Sequence, residues 1–189
     1  MIKTKEELRE YISADESRNK KEHLSEFINI IRCLLKWNDE SYYVRKYLRA
    51  FRKYEYYYNN RENSICNNLL CKFYFSRTNL LSMRYGIHIR PNTVGKGLFI
   101  PHFAAGIYIN AIKIGDNCTI SSGVVIGNKN DLTKRAIIGN NVELCVGCKV
   151  IGDITIGDNA IIAPNSVVIK DIPANSIVSG IPAKIIKKR

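Results

Sequence analysis

The first 85 residues contain no glycine and no proline, although the 189-residue chain has 12 Gly and 5 Pro. That absence excludes a loop-rich, turn-rich opening and permits long helices there. Histidine is scarce as well: His23, His88 and His102 are the only three. No apolar run is long enough to cross a bilayer, so no membrane span is expected. The opening Met1-Ile2-Lys3-Thr4-Lys5-Glu6-Glu7 is charged, unlike a secretory leader, which sets the expectation of a cytoplasmic protein. The six cysteines are then expected as reduced thiols. Charged residues make up only 24% of the chain against 46% hydrophobic, which is not the balance of a disordered chain. The balance of charge is strongly basic, with 29 Lys and Arg against 17 Asp and Glu, a net +12 that suits anionic partners.

Two regions follow different rules. The first, residues 1–85, holds ten of the 11 tyrosines. Thr4 followed by Glu7 reads as a capping box that starts a helix. Leu24, Phe27, Ile28, Ile31, Leu34 and Leu35 form an apolar stripe at helical spacing. Val44, Tyr47, Leu48, Phe51, Tyr54 and Tyr58 form a second, and Ile65, Leu69, Leu70, Phe73 and Tyr74 a third. The tyrosines between Arg45 and Tyr58 lie among arginines and lysines, as a nucleic-acid platform would. Their helical spacing favours a packed helix face, and no nucleic-acid partner is expected.

The second region, residues 86–189, keeps a six-residue beat. Aliphatics stand at Ile114, Ile120, Ile126, Ile138, Leu144, Val150, Ile156, Ile162 and Val168. Small or apolar residues follow four positions later, among them Cys118, Val124, Val142, Cys148 and Ala160. Gly115-Asp116-Asn117, Gly139-Asn140-Asn141 and Gly157-Asp158-Asn159 mark corners that need left-handed backbone. A unit this short cannot bury its own face, so its coils must stack. The pattern predicts a parallel β-helix of three coils. A fourth rung is expected around Val94, Ile100 and Tyr108. The one twelve-residue step, between Ile126 and Ile138, reads as an extruded loop. In this setting Cys145-x-x-Cys148 reads as two small core residues, not a redox or metal pair.

The motifs Ile89-Arg90-Pro91, Val94-Gly95-Lys96-Gly97, Ile100-Pro101-His102-Phe103-Ala104-Ala105-Gly106-Ile107, Val124-Val125-Ile126-Gly127 and Gly180-Ile181-Pro182-Ala183-Lys184 resemble the serine acetyltransferase group of hexapeptide acyltransferases. The resemblance covers roughly residues 85–189. It implies a mainly β fold, a left-handed parallel β-helix behind an α-helical N-terminal domain. It implies a homotrimer, or two trimers joined through the helical domain, with acetyl-CoA as co-substrate in the cleft between neighbouring β-helices.

The resemblance places His102 as the catalytic base; His88, the other candidate, is either a hydrogen-bond partner of His102 or of the acceptor, or a bystander. A hydroxyl is too weak an acid to ionise at neutral pH, and a neutral imidazole can take its proton during attack on the thioester. The apolar setting of His102 suggests a shielded base. The resemblance assigns the CoA wall to Gly127, Gly147, Cys148, Ala163, Pro164 and Lys184, and it implies no metal.

The acceptor positions depart from the serine enzymes. His88 stands where they carry an orienting Asp, Pro101 where an Asp precedes the base, and Lys134-Arg135 where they have an Arg-His pair. The pattern resembles instead the sugar O-acetyltransferases of the group, which act on surface polysaccharide. Asn110, Asn128, Asn130, Asp131 and Arg135 are the candidate acceptor-binding residues, and turn chemistry favours the same residue types. Serine O-acetylation for cysteine synthesis is the alternative. A γ-type carbonic anhydrase would need three zinc-binding histidines, and only His88 and His102 lie near the β-helix.

Overall fold

The computed structural model describes residues 1–20, 40–129, 131 and 133–188. The stripe from Leu24 to Leu35 lies outside the described residues, as do His23, Asn130 and Leu132.

Helix α1 (Lys5–Arg18) starts on the expected capping box. The Thr4 hydroxyl accepts from Glu7 N at 3.1 Å, and the Glu7 carboxylate accepts from Thr4 N at 3.0 Å. Helix α2 (Glu40–Asn59) buries the expected stripe, with Val44, Tyr47, Leu48 and Phe51 all inside. Helix α3 (Ile65–Tyr85) is capped by Ser64, which accepts from Asn67 N, and it stops at Gly86 in the left-handed region. That conformation costs glycine little and ends the helix. The buried side of α3 differs from the expected one. Ile65, Leu69, Leu70 and Phe73 are exposed, and Cys71, Thr78, Leu81, Ser82 and Tyr85 face inward. α3 is apolar on more than one side, so its periodicity does not single out the packed face.

From residue 87 the chain winds as a three-sided prism of parallel strands. The first face stacks β1 (Ile87–Ile89), β2 (Ile107–Ile109), β5 (Val125–Gly127), β8 (Lys149–Ile151) and β11 (Val167–Val168). The second stacks β3 (Lys113–Ile114), β6 (Ile137–Ile138) and β9 (Thr155–Ile156), extended by bridges from Val94 to Ile114 and from Ile156 to Ile172. The third stacks β4 (Thr119–Ile120), β7 (Glu143–Leu144), β10 (Ile161–Ile162) and β12 (Ser176–Gly180), begun by a bridge from Phe99 to Thr119. An antiparallel strand, β13 (Ala183–Lys188), folds back on β12 and ends the stack.

All nine aliphatics of the beat are buried, each at 1% exposure or less. The register pairs them coil on coil, as in Ile126 with Val150 and Ile138 with Ile156. Burial of one such side chain contributes about 1.5–3 kcal/mol. The corners are as expected: Asn117, Asn141, Asn159 and Asn175 take positive φ between 54° and 59°. Each donates its backbone N–H one coil back, to Lys96, Asp116, Asn140 and Asp158 respectively.

Two expectations are corrected. The first face has five strands, so the stack has five rungs where the beat gave four. The first and last rungs break the six-residue phase, Ile87 pairing with Ile107 and Ile156 with Ile172. Tyr108 points outward, and its neighbours Ile107 and Ile109 fill the core. The long step is an extruded loop. Ile126 pairs with Val150 and Ile114 with Ile138, so the residues after Gly127 add no rung.

The two regions join at Tyr85–Gly86–Ile87 and share one buried cluster that runs from Val44 to Val178. The seam between α1, α2 and the first rung also holds charge. Arg52, fully buried, donates to Asp15 and Glu55 at 2.8 Å each, and to the carbonyls of Val94 and Gly95. Asp15 accepts from Leu98 N, and Glu55 from Asn92 N. Burial pushes the Glu55 carboxyl up, although Arg52 beside it pulls the other way. For Arg52 burial opposes the charge, but the two carboxylates outweigh it and hold the guanidinium firmly protonated.

Candidate active site

His102 follows Ile100, which is anchored in the core, and precedes Phe103, whose ring packs on Tyr85 at 5.4 Å. These two anchors fix the turn. It is tied further by Gly106 N donating to Phe103 O and by Ala105 N donating to the Ser122 hydroxyl at 2.7 Å. The imidazole itself is 74% exposed, so within one chain the base is not shielded as its sequence neighbours suggested.

Its partner comes from the helical region. Glu40, the first residue of α2, places Oε2 at 2.8 Å from His102 Nδ1. A carboxylate in the first turn of a helix sits at the positive end of the helix dipole. With Nδ1 held by a carboxylate, the proton stays on Nδ1 and Nε2 is the nitrogen left to accept one. Nothing in the local sequence marks Glu40. It is 62 positions from His102, and an acidic residue at a helix start is ordinary capping chemistry.

A cavity of about 350 Å³ opens beside the pair, between the helical region and the first rung. Arg18, Lys20, Glu40, Ser41, Pro101 and His102 line it. Arg18 is held by backbone, its Nη1 donating to Gly97 O and Cys118 O, and its Nη2 to the Thr119 hydroxyl. The cavity therefore presents cations on one side and a carboxylate on the other.

His88 is placed elsewhere. It lies in β1, its ring 6.5 Å from that of Tyr108, and lines a separate cavity with Tyr54, Ser82 and Arg90. Of the two roles open to His88, a hydrogen bond to His102 is not formed within the chain, and Glu40 stands beside His102. The physical reason is topological: His88 sits on the first face, and His102 on the corner that leads from the third face to the first.

That same corner carries most of the candidate CoA wall. Gly147 and Cys148 lie two coils above His102, and Ala163 and Pro164 one coil further. Gly147 has φ 71°, and a Cβ there would meet the Asn165 side chain at 2.2 Å. The absence of a side chain keeps the corner narrow, so an extended chain can lie against backbone. Cys148 is fully buried, as a small core residue, and Cys145 is half-buried beside Glu143. Burial pushes the Cys148 thiol up to about 12 and the Cys145 thiol up to about 11. Among the described residues no group of three or more His, Cys, Asp or Glu could hold a metal ion. Lys184 is on β13, paired with Ser179 where the tail doubles back. Gly127 is not on this corner; it ends β5 on the first face.

Of the candidate acceptor residues, Asn110, Asn128, Asp131 and Arg135 lie at a third location, the corner between the first and second faces. Asn110 is buried and donates from Nδ2 to Asn128 Oδ1 at 3.1 Å. Asp131 accepts from the backbone and hydroxyl of Thr133, which hold its carboxyl below the usual range. Arg135 reaches Ala111 O. These contacts shape the extruded loop. Within one chain they do not bring it to His102, which occupies a different corner of the prism.

Comparison with known proteins agrees with this architecture. Residues 135–170 match the bacterial transferase hexapeptide (six repeats) family. Serine acetyltransferases of Staphylococcus xylosus and Staphylococcus aureus are 42% identical over 106 residues, 54% of this chain. The chain spans about half the length of these relatives, 49% and 50% respectively. Among solved structures, soybean serine acetyltransferase is 22% identical with a TM-score of 0.70, over 96% of this chain and 69% of that one. The Neisseria gonorrhoeae enzyme, solved in complex with serine, is 23% identical with a TM-score of 0.68, over 97% and 70%. The fold is thus a left-handed hexapeptide-repeat β-helix behind a helical region, the architecture of a class of transferases. The chain is similar to serine acetyltransferases in sequence over 106 residues and in fold over nearly its whole length.

Proposed function

We propose that the chain transfers the acetyl group of acetyl-CoA to a hydroxyl, with His102 as general base and Glu40 holding its Nδ1. The observation that carries this reading is the 2.8 Å contact between Glu40 and His102 at the edge of an open cavity. Nε2 of His102 takes the hydroxyl proton while the oxygen attacks the thioester carbon. The tetrahedral intermediate collapses with breakage of the carbon–sulfur bond, and the CoA thiolate takes the proton held on His102 Nε2, which regenerates the base. No covalent enzyme intermediate is needed, in keeping with thiols at Cys145 and Cys148 that resist ionisation. The glycine corner above His102 suits pantetheine, and Lys184 and Lys187 on the tail suit the phosphates.

Serine is the favoured acceptor. The relatives are serine acetyltransferases, and one was solved with serine bound. The cavity also offers what an amino acid needs: Glu40 for an ammonium, and Arg18 and Lys20 for a carboxylate. Glu40 binds His102 through Oε2, which leaves Oε1 for the acceptor. His88 and Pro101 offer an ammonium no carboxylate, and Glu40 can supply one. A sugar hydroxyl is the second reading, favoured by the uncharged Pro101 and by the Asn- and Asp-bearing loop. A homotrimer supports either reading, because a neighbouring copy can bring its loop corner to the His102 corner.

Thiol release from acetyl-CoA, measured with serine and with a panel of sugars, tests this. His102→Ala should lower turnover by ~10²–10⁴-fold. Glu40→Gln should lower it by roughly 10- to 10⁴-fold, since the amide no longer fixes the tautomer. Glu40→Gln with full kcat would remove Glu40 from the site, and release of thiol with no acceptor tried would refute the function. Turnover on sugars without turnover on serine would favour the second reading.

A further inference from the structure

The helical region holds a cavity that acetyl transfer does not use. It measures about 360 Å³ and lies between α2 and α3. Arg45, Lys46, Arg49 and Lys53 line it from one face of α2, and Arg77 enters from α3. Their spacing of three and four residues sets the α2 cations in a row. Tyr42 and Tyr74 lie on its walls.

Five cations therefore converge on one concavity, and no carboxylate is among its described lining residues. Glu16 pairs with Arg49 and offsets one of them. Arg45 is 7% exposed; among the described residues its Nε bonds Ser41 O at 3.4 Å, and on its other side it borders Asp15 and Glu16. Lys53 rests over the Tyr74 ring at 5.6 Å, and Tyr74 stacks on Tyr57. Like charges crowded into one concavity repel, and an anion seated among them relieves that repulsion. Lys46, Arg49 and Arg77 are exposed and Lys53 is half-buried, yet all five cations border one cavity of a size that fits a small ligand.

We propose that this cavity is a binding site for a small ligand bearing a diphosphate. Four cations not offset by Glu16 match a group of about three negative charges, and guanidinium forks suit phosphate oxygens. A single phosphate would satisfy only part of the row. The tyrosines at Tyr42 and Tyr74 are placed to cover whatever the diphosphate carries. The ligand can be a soluble nucleoside diphosphate or a diphosphate head group on a lipid, and the two share this recognition.

The test is calorimetric titration of the whole chain with inorganic pyrophosphate, orthophosphate and ADP. Flotation with phosphatidylcholine vesicles, plain or containing a diphosphate lipid, separates the lipid source from the soluble one. Pyrophosphate should bind saturably and more tightly than orthophosphate. Arg45→Gln with Arg77→Gln should weaken it at least ~10-fold, the scale of losing a charge-assisted fork. Lys46→Gln with Lys53→Gln, exposed or half-exposed positions, should weaken it too and covers the case in which loss of Arg45 unfolds the helix pair. Lys72→Gln with Lys170→Gln removes the same charge away from the cavity and should change nothing. Equal weakening by that control pair would reduce the effect to net charge and overturn the proposal. So would an absence of saturable pyrophosphate binding. Single-stranded RNA that binds more tightly than pyrophosphate and displaces it would replace the small ligand with a nucleic acid.

Discussion

The β-helix and the helical region are held by opposite means. The β-helix repeats one apolar contact: an aliphatic on each face stacks on its counterpart one coil away, with Asn corners between. The helical region meets it partly through the shared apolar cluster and partly through a polar joint, in which Arg52 is clamped by Asp15, Glu55 and two carbonyls of the first rung. A stack of like contacts tolerates small shifts along its length. A buried charge cluster has one geometry in which every lone pair and proton is satisfied. The difference has a consequence for the site. The joint fixes α2 against the first rung, and α2 begins with Glu40, the residue that reaches His102.

The sharpest way to break the contrast is to remove the cation of the joint. Arg52→Ala should cost about 3–5 kcal/mol, because Asp15 and Glu55 are left buried without a counter-charge. Chemical denaturation measures it. A loss below about 1 kcal/mol would mean that water enters the seam and the joint is not a dry cluster. Replacing Asp15, Arg52 and Glu55 together by apolar residues should restore part of this. It should not restore all, since Leu98 N and Asn92 N lose their acceptors at about 1–3 kcal/mol each. The same Arg52 variant should also lower acetyl transfer at temperatures where it stays folded, through Glu40.

The β-helix should respond to a lesion according to its repeat. Leu144→Ala opens a cavity in the middle of the third face and should cost about 2–5 kcal/mol. The equivalent change at Val178, in the last rung, should cost less, since a smaller side chain is removed and one neighbour is β13. At a corner, Asn141→Gly should be nearly neutral. Asn141→Ala should cost about 1–2 kcal/mol, the strain of an alanine at φ 54°. Equal effects of alanine and glycine there would mean that the Asn side chain, not the backbone, makes the corner.

The same contrast decides what could be read from residues alone. The β-helix was legible because its contacts are local in phase: one residue type every six positions states the rung, the face and the corner. It failed where the phase breaks, at Ile87, Ile172 and Tyr108. The helices were legible as helices, yet α3 carries apolar residues on several sides, and its packed face was misjudged. The proposed base, His102, stands in a motif visible in the sequence. The carboxylate that the structure sets at its Nδ1 does not. His88 is close to the motif in sequence but on another face, whereas Glu40 arrives through a three-dimensional joint that no spacing encodes. The loop after Gly127 was legible as extruded, but its corner is separated from His102 by the winding of the coil.

The smallest effect concerns thiols, and it compares the two regions directly. Cys66 is exposed in α3, and Cys145 is half-buried on the β-helix corner. Burial first, then the neighbouring Glu143 carboxylate, pushes the Cys145 thiol up to about 11. The thiolate is the form that reacts, so at pH 8 only about one Cys145 in 10³ is reactive at any instant. Its alkylation by iodoacetamide, followed by peptide mass spectrometry, should be slow at pH 8 and rise about tenfold per pH unit up to pH 10. Cys148, pushed up to about 12 and fully buried, should remain unmodified while the fold persists. Cys66 should react first throughout. Labelling of Cys145 at pH 8 as fast as that of Cys66, or a disulfide between Cys145 and Cys148 under mild oxidation, would show that the corner opens. A corner that opens could not serve as the rigid wall that pantetheine needs.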